Sequence, residues 1–326
     1  MIRKRMILFT IFIGSLSLWG CSNNLSNNFP NDSSSENSNI TVSEEPVAST
    51  SGEIGSRDNT SFCLVPSADS IDVFQNSDAI IDISNTSEGY IMASYIGNSK
   101  KVKLQITGSD NITYTYNLHG GGYEVFPLSS ESGNYTIAIF ENVIDNQYST
   151  CLSEVVPISI SNEFGPYLYP NQYVTFNSQS DVVEKAEELA LSANSDLNVI
   201  TNIYNYIIKN ISYDYDKAEN VQSGYTPDVD EILSSKTGIC LDYAAVMTSM
   251  LRSQQIPTRL EVGYAGESYH AWISTYISDV GWVNGIIEFN GTKWELMDPT
   301  FAANSSEKKL KSFIGDGSNY TTKYIY

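Results

Sequence analysis

The hydrophobic period of this chain changes once, near Phe176, and that change limits the folds open to it. Before it, apolar residues come in short alternating runs: Ala79 to Ile83, Tyr90 to Tyr95, Lys101 to Ile106 and Tyr135 to Phe140. Clusters of Asn, Gly, Ser and Asp bound each run. Short strands with frequent turn signals predict an all-β, immunoglobulin-like sandwich over residues 60–165. After Phe176 the period is helical. Val182, Val183, Ala186, Leu189 and Ala190 form one stripe. A second helix, capped by Ser195 or Asp196, carries Leu197, Ile200, Tyr204, Ile207 and Ile208 on one face. A third begins at Cys240 and ends before Ile256-Pro257. Three strands follow: Arg259 to Tyr264, His270 to Ile277 and Ile286 to Leu296, the last with an Asn290-Gly291 turn. Helices followed by an antiparallel sheet predict an α+β domain over residues 166–326. A chain of 326 residues is long enough for both domains.

The N-terminus reads as an export signal. Arg3-Lys4-Arg5 precede an apolar run from Met6 to Leu18, too short for a comfortable membrane span. Leu18-Trp19-Gly20-Cys21 follows. It resembles the bacterial lipoprotein signal, which implies a signal peptide over 1–20 and a lipid on Cys21. Residues 21–59 are rich in Asn, Ser and Glu and cannot bury a core, so they read as a flexible tether. The expected location is therefore the outward face of a bacterial cell membrane, through the anchor at Cys21.

Formal net charge is −20, and removing the three basic residues of the first 20 leaves 15 basic against 38 acidic. Such a field repels phosphate backbones and excludes nucleic acid as a natural partner. The acidic loop between Asp214 and Glu231 lacks calcium-loop spacing, so its carboxylates read as solvated. His119-Gly120-Gly121-Gly122 lacks the strand–helix setting of a hydrolase oxyanion loop and reads as a β-turn.

Three further cysteines need sorting. Cys63 and Cys151 bracket the β region. Export permits them to pair, which would stabilise by up to about 4–5 kcal/mol in the chain-entropy model. Two separate thiols satisfy the sequence equally. Cys240 stands between the turn of Lys236-Thr237-Gly238 and a helix start. A helix N-terminus favours the thiolate, and its free N–H groups can stabilise an oxyanion. Of the two histidines, His270 lies in the same domain, at the start of a strand. Asp298, stopped by Pro299, closes the strand expected beside it and can orient the imidazole. One Cys, one His and one Asp lack the paired spacing of a zinc site, and the chemistry calls for no metal or cofactor.

Gly238-Ile239-Cys240-Leu241-Asp242-Tyr243-Ala244, His270-Ala271-Trp272 and Asp298-Pro299-Thr300 resemble the three boxes of transglutaminase-like domains in the papain-like superfamily. The resemblance covers about residues 166–326 and implies a catalytic triad of Cys240, His270 and Asp298. It implies acyl transfer from protein or peptide amides through a thioester. An amine acceptor makes a transglutaminase; water makes a cysteine protease or amidase. Trp272, Trp282 and Trp294 are candidate aromatic walls of the substrate cleft, or simply core. The 28 positions between His270 and Asp298 leave room for a loop at 281–285 over the cleft. A third reading is a surface binding module with an unused papain-like site.

Overall fold

The computed structural model describes residues 54–278, 281–284, 286–289, 294–297 and 320–326. The signal segment, Cys21 and Asp298 lie outside the described residues.

Eight strands make up the first half: β1 (Val73–Gln75), β2 (Ala79–Asp82), β3 (Tyr90–Tyr95), β4 (Val102–Thr107), β5 (Thr113–Leu118), β6 (Tyr123–Pro127), β7 (Gly133–Ile144) and β8 (Gln147–Ile158). They form two four-stranded antiparallel sheets, ordered β1-β2-β3-β6 and β5-β4-β7-β8. Alternation sets the register. In β4, Val102, Leu104 and Ile106 are buried while Lys103 and Gln105 are half-buried; β5 repeats this with Tyr114, Tyr116 and Leu118 inward. The inward faces of the two sheets meet, with the Tyr116 and Phe126 rings 5.0 Å apart. The His119–Gly122 stretch is the crossing from β5 in one sheet to β6 in the other, rather than the turn of a hairpin.

The sequence left Cys63 and Cys151 as a pair or as two thiols, and the structure has both free. They belong to different neighbourhoods. Cys63 follows Phe62, whose N–H donates to Ser253 O in the C-terminal half. Cys151 is the extra residue where the β7–β8 register shifts between Ile139 and Phe140, beside Asn76. Burial pushes both thiols above their ordinary pKa.

The second half contains α1 (Asp181–Ala190), α2 (Asp196–Asn210), β9 (Ser212–Tyr213), α3 (Tyr215–Asn220), α4 (Val229–Ser235), β10 (Thr237–Gly238) and α5 (Cys240–Ser253). Then come β11 (Thr258–Ala265), β12 (Ser268–Ile277), β13 (Gly281–Asn284), β14 (Ile286–Phe289), β15 (Trp294–Met297) and β16 (Tyr320–Ile325). Helices α1, α2 and α5 fall where the periodicity puts them, and Ser195 caps α2 by accepting from Asn198 N–H at 3.2 Å.

Three expectations are corrected. The acidic segment is not one solvated loop: Asp214 and Asp228 cap α3 and α4, and Asp230 accepts the Val182 N–H at 3.0 Å. Short polar side chains there satisfy helix-start donors that a pattern search reads only as charge. Residues 281–284 are no loop; they form β13, paired antiparallel with the end of β12. And β15, the strand before Asp298, pairs with β14 in a separate two-stranded sheet, while β12 sits between β11 and β13 in the order β13-β12-β11-β16.

The halves are packed together. Gln172 donates to Asn117 O and Glu124, both at 2.6 Å, and Ile325 N–H donates to the Tyr114 hydroxyl at 3.3 Å. Tyr326 stacks obliquely on Tyr173 at 4.3 Å and meets Tyr114 edge-on at 5.7 Å. Buried residues of both halves form one continuous cluster. The end of the expected tether is docked as well. Gly55 N–H donates to Leu191 O, and the Arg57 guanidinium bonds Asp196 at 2.7 Å and Gln254 O at 2.6 Å.

Candidate active site

Helix α5 occupies the centre of the second half, packed by α1, α2 and α4 on one side and by β11 and β12 on the other. Thirteen of its residues are buried; Cys240, the first, is only partly so. Cys240 is therefore partly exposed while the helix carrying it is packed on both sides. As the first helical residue, Cys240 sits at the positive end of the helix dipole, next to N–H groups without intrahelical acceptors.

The local sequence dictates how that end is built. Lys236 turns the chain with a left-handed φ of 56°. Thr237-Gly238 then pairs parallel with Ser212-Tyr213, with Asp214 N–H donating to Gly238 O at 3.0 Å. The N-cap position falls to Ile239, whose side chain cannot accept a hydrogen bond. Asp242 supplies the cap from inside the helix: its Oδ2 accepts the Ile239 N–H at 2.9 Å. The Asp242 side chain has no solvent exposure, and it also accepts from Tyr225 OH at 2.7 Å and Lys217 Nζ at 2.6 Å. One residue on, the Tyr243 hydroxyl donates to Ile211 O at 2.6 Å.

Gly238 is required by this packing. A Cβ there would lie 2.7 Å from Asp242 Cβ and 3.1 Å from its Oδ2. Gly238→Ala is expected to displace the Asp242 carboxylate and cost about 1–3 kcal/mol. Chemical denaturation of the variant checks this; an unchanged midpoint would mean the turn yields without strain.

His270 is buried near the start of β12, opposite Gly263 of β11. Its neighbour Tyr269 lies close enough to Cys240 to feel a charge on it, although burial is the main cause that pushes the Tyr269 phenol up. The start of β12 and the first turn of α5 thus lie together, with Cys240 and His270 at the same end of the helix–sheet layer. Asp298 lies outside the described residues.

The three tryptophans separate. Trp272 shares His270's face of β12 by strand alternation and is buried edge-on against Tyr320 at 4.9 Å. Trp282 pairs with Tyr276 at the far end of β12, about 20 Å along the strand from His270. There it packs on Phe164 and Tyr167 of the linker, with the Arg259 guanidinium 3.7 Å from its ring centre. It belongs to linker packing rather than to a cleft wall. Trp294 is part of β15, and its side chain lies outside the described residues. Lys217 and Tyr225 are the functional neighbours that the sequence did not expose. Asp242 at the third helical position carried a local capping signal; its partners lie 25 and 17 positions away.

Residues 183–285, which include Cys240 and His270, match the family model of the Transglutaminase-like superfamily. A UPF0252 protein of Methanocaldococcus jannaschii is 25% identical over 226 residues, covering 62% of this chain and 62% of the relative. YebA of Bacillus subtilis is 22% identical over 197 residues, covering 51% of this chain and 25% of YebA. The periplasmic domain of TgpA from Pseudomonas aeruginosa aligns at 13% identity with a TM-score of 0.34, covering 74% of this chain and 99% of that one. The chain thus spans under two thirds of the length of either curated relative. With the box at Cys240, the strand of His270 and the matching family model, residues 183–285 of this chain are similar to the Transglutaminase-like superfamily.

Proposed function

We propose that the chain is an exported surface lipoprotein whose transglutaminase-like domain performs acyl transfer on protein or peptide carboxamides. The observation that carries this reading is the lone solvent-reaching residue of α5: a thiol at the N-terminus of an otherwise buried helix, next to the strand of His270. A buried structural cysteine needs no such access.

In the proposed reaction, His270 takes the thiol proton, and Cys240 Sγ attacks the carboxamide carbon. The oxyanion is held by N–H groups at the start of α5. The C–N bond breaks, the amine leaves with the proton from His270, and a thioester remains on Cys240. A second amine attacks the thioester, losing its proton to His270, and the thiol is regenerated with a new amide. Water in place of the amine gives hydrolysis. Asp298 is assigned the orientation of the imidazole.

The two N-terminal sheets read as an immunoglobulin-like sandwich that is built onto the catalytic body through Gln172, Tyr114 and Tyr326. The segment leading from Cys21 would arrive at Gly55 and Arg57, which dock beside Gln254 just past the C-terminal end of α5. Cys240 is at the opposite end of that helix, about 21 Å away. An anchored molecule would then present its thiol away from the docked tether.

The test mixes the protein with a glutamine-containing peptide library and a labelled primary amine and reads the products by mass spectrometry. Amine incorporation makes a transferase. Cleavage or deamidation without incorporation makes a hydrolase. Absence of both, together with slow alkylation of Cys240, leaves a binding module. His270→Ala is expected to slow alkylation of Cys240 at neutral pH by at least about tenfold, since the imidazolium that favours the thiolate is gone. Quantifying the Cys240 peptide after iodoacetamide treatment checks it.

A further inference from the structure

The helix that presents Cys240 carries a carboxylate two residues further on, and that carboxylate is sealed from water. The local build uses it: Asp242 Oδ2 accepts the Ile239 N–H that precedes the helix, while the Ile239 carbonyl accepts from Asp242 and Tyr243 N–H. Left alone, a buried negative charge in the first turn of the helix opposes its dipole and disfavours a thiolate on the same turn. The fold answers with two donors from a different part of the chain. Lys217 of α3 meets Oδ2 at 2.6 Å, and Tyr225, between α3 and α4, meets Oδ1 at 2.7 Å. The two donors also touch each other, with Lys217 Nζ 2.7 Å from the Tyr225 hydroxyl oxygen and 4.4 Å from its ring centre.

We infer that Lys217, clamped with Tyr225 onto Asp242, is a positioning residue that cancels the capping charge and so keeps the Cys240 thiol ionisable at neutral pH. This rests on the reading of Cys240 as the nucleophile. Among the described residues, and besides the exposed Lys236 that closes α4, few charged and titratable groups surround this end of α5. Asp242 lies on the helix, Lys217 and Asp214 on α3 and its cap, and Tyr269 and His270 on β12. Asp228 and Glu231 stand behind Tyr225. In this set Lys217 is the fixed cation. Asp214 is engaged by the N–H of Lys217 at 2.8 Å, so its carboxylate serves the cap of α3. Burial, with the bond to Asp242 second, pushes the Tyr225 phenol well above its ordinary value, so it stays a donor throughout the working pH range. Nothing in the packing of α5 needs an ammonium here, since Ile239 N–H and Tyr225 already occupy both oxygens of Asp242.

The experiment follows alkylation of Cys240 by iodoacetamide against pH in the full chain, reading the Cys240 peptide by mass spectrometry, with an unstructured cysteine-containing peptide in the same tube as the ordinary thiol. In the parent, Cys240 is expected to react with a midpoint below that of the reference peptide. Lys217→Met is expected to move that midpoint up by about one pH unit, a roughly tenfold loss of rate at pH 7. Adding Asp242→Asn removes the charge that Lys217 balanced and is expected to bring the midpoint back down. That reversal is the decisive readout, because damage to packing would accumulate in the double variant instead. Tyr225→Phe, which strands no charge, is expected to shift the midpoint in the same direction by less and covers the case of a poorly folded Lys217→Met. A Lys217→Met or Tyr225→Phe curve that overlays a low parent midpoint overturns the inference and leaves the nucleophile standing, as does a double variant slower than Lys217→Met. A parent midpoint at or above that of the reference peptide overturns the nucleophile assignment itself, and the inference with it.

Discussion

Replacing Cys240 by Ala is expected to reduce both amine incorporation and amide hydrolysis to background, a loss on the order of a thousandfold or more. The size of the effect follows from the proposed chemistry. Every step after substrate binding runs through a bond to Sγ, and no other side chain described at this end of α5 can replace it as a nucleophile. Cys63 and Cys151 do not substitute: burial pushes both thiols up, which keeps them protonated. The variant should remain folded, because the other thirteen residues of α5 provide its packing and the cap runs through Asp242 and the Ile239 backbone. Circular dichroism and thermal unfolding of Cys240→Ala beside the parent check that the loss is chemical. Activity that persists in this variant would end the thioester reading.

The largest effect on stability is expected at the other end of the same helix. Arg252 is buried, and its guanidinium donates to three backbone carbonyls: Thr258 O at 3.0 and 2.8 Å, Tyr169 O at 2.5 Å and Tyr326 O at 2.8 Å. These belong to the start of β11, the linker between the halves, and the residue after β16. Burial pulls the Arg252 pKa down to about 9, which still leaves the group charged at neutral pH. Its charge is met by main-chain oxygens and by the negative end of the α5 dipole. Arg252→Met keeps much of the volume and removes every one of those bonds. Leaving the carbonyls without this donor in a dry site is expected to cost about 2–4 kcal/mol. That corresponds to a fall in Tm of roughly 5–10 °C. Arg252→Lys should recover little, since a single ammonium cannot reach three carbonyls that a planar fork spans. Differential scanning calorimetry decides it; a Tm within a degree of the parent would show that the linker and β16 are held without the guanidinium.

Both variants concern α5, and both show what a one-dimensional pattern can carry. The helix itself was legible: Leu241, Ala244, Ala245 and Val246 are helix formers or core residues, Gly238 precedes them, and Ile256-Pro257 follows. So were the box motifs, because their residue types recur at short spacings along the chain. The strands β2, β3 and β4 and the middle of β7 were legible as short apolar runs bounded by turn residues, whereas β5 was not read. The long β7–β8 hairpin was read only in part. Val155, Glu154 and Ser153 break its alternation, and a register shift places Cys151 between Ile139 and Phe140. The segment 281–284 was misread because Gly281 and Asn284 signal turns, while pairing with β12 supplies the hydrogen bonds that make it a strand.

What the sequence by itself determined is local: a period of two giving way to a helical period, a cysteine at a helix start, and a histidine at a strand start. Each depends on interactions within a few residues, where side-chain type and spacing are sufficient. What only the tertiary structure decided are the partners across long separations. Asp242 and Arg252 are ordinary residues of a helix until Lys217, Tyr225, Tyr169, Thr258 and Tyr326 are brought to them. Cys63 and Cys151 are two thiols because the Phe62 bond to Ser253 and the β8 bulge put them in different surroundings. Trp282 packs on the linker because β13 pairs at the far end of β12. Such pairings are set by how whole elements fill space together, and buried charges reveal their function only when the groups that neutralise them are in place.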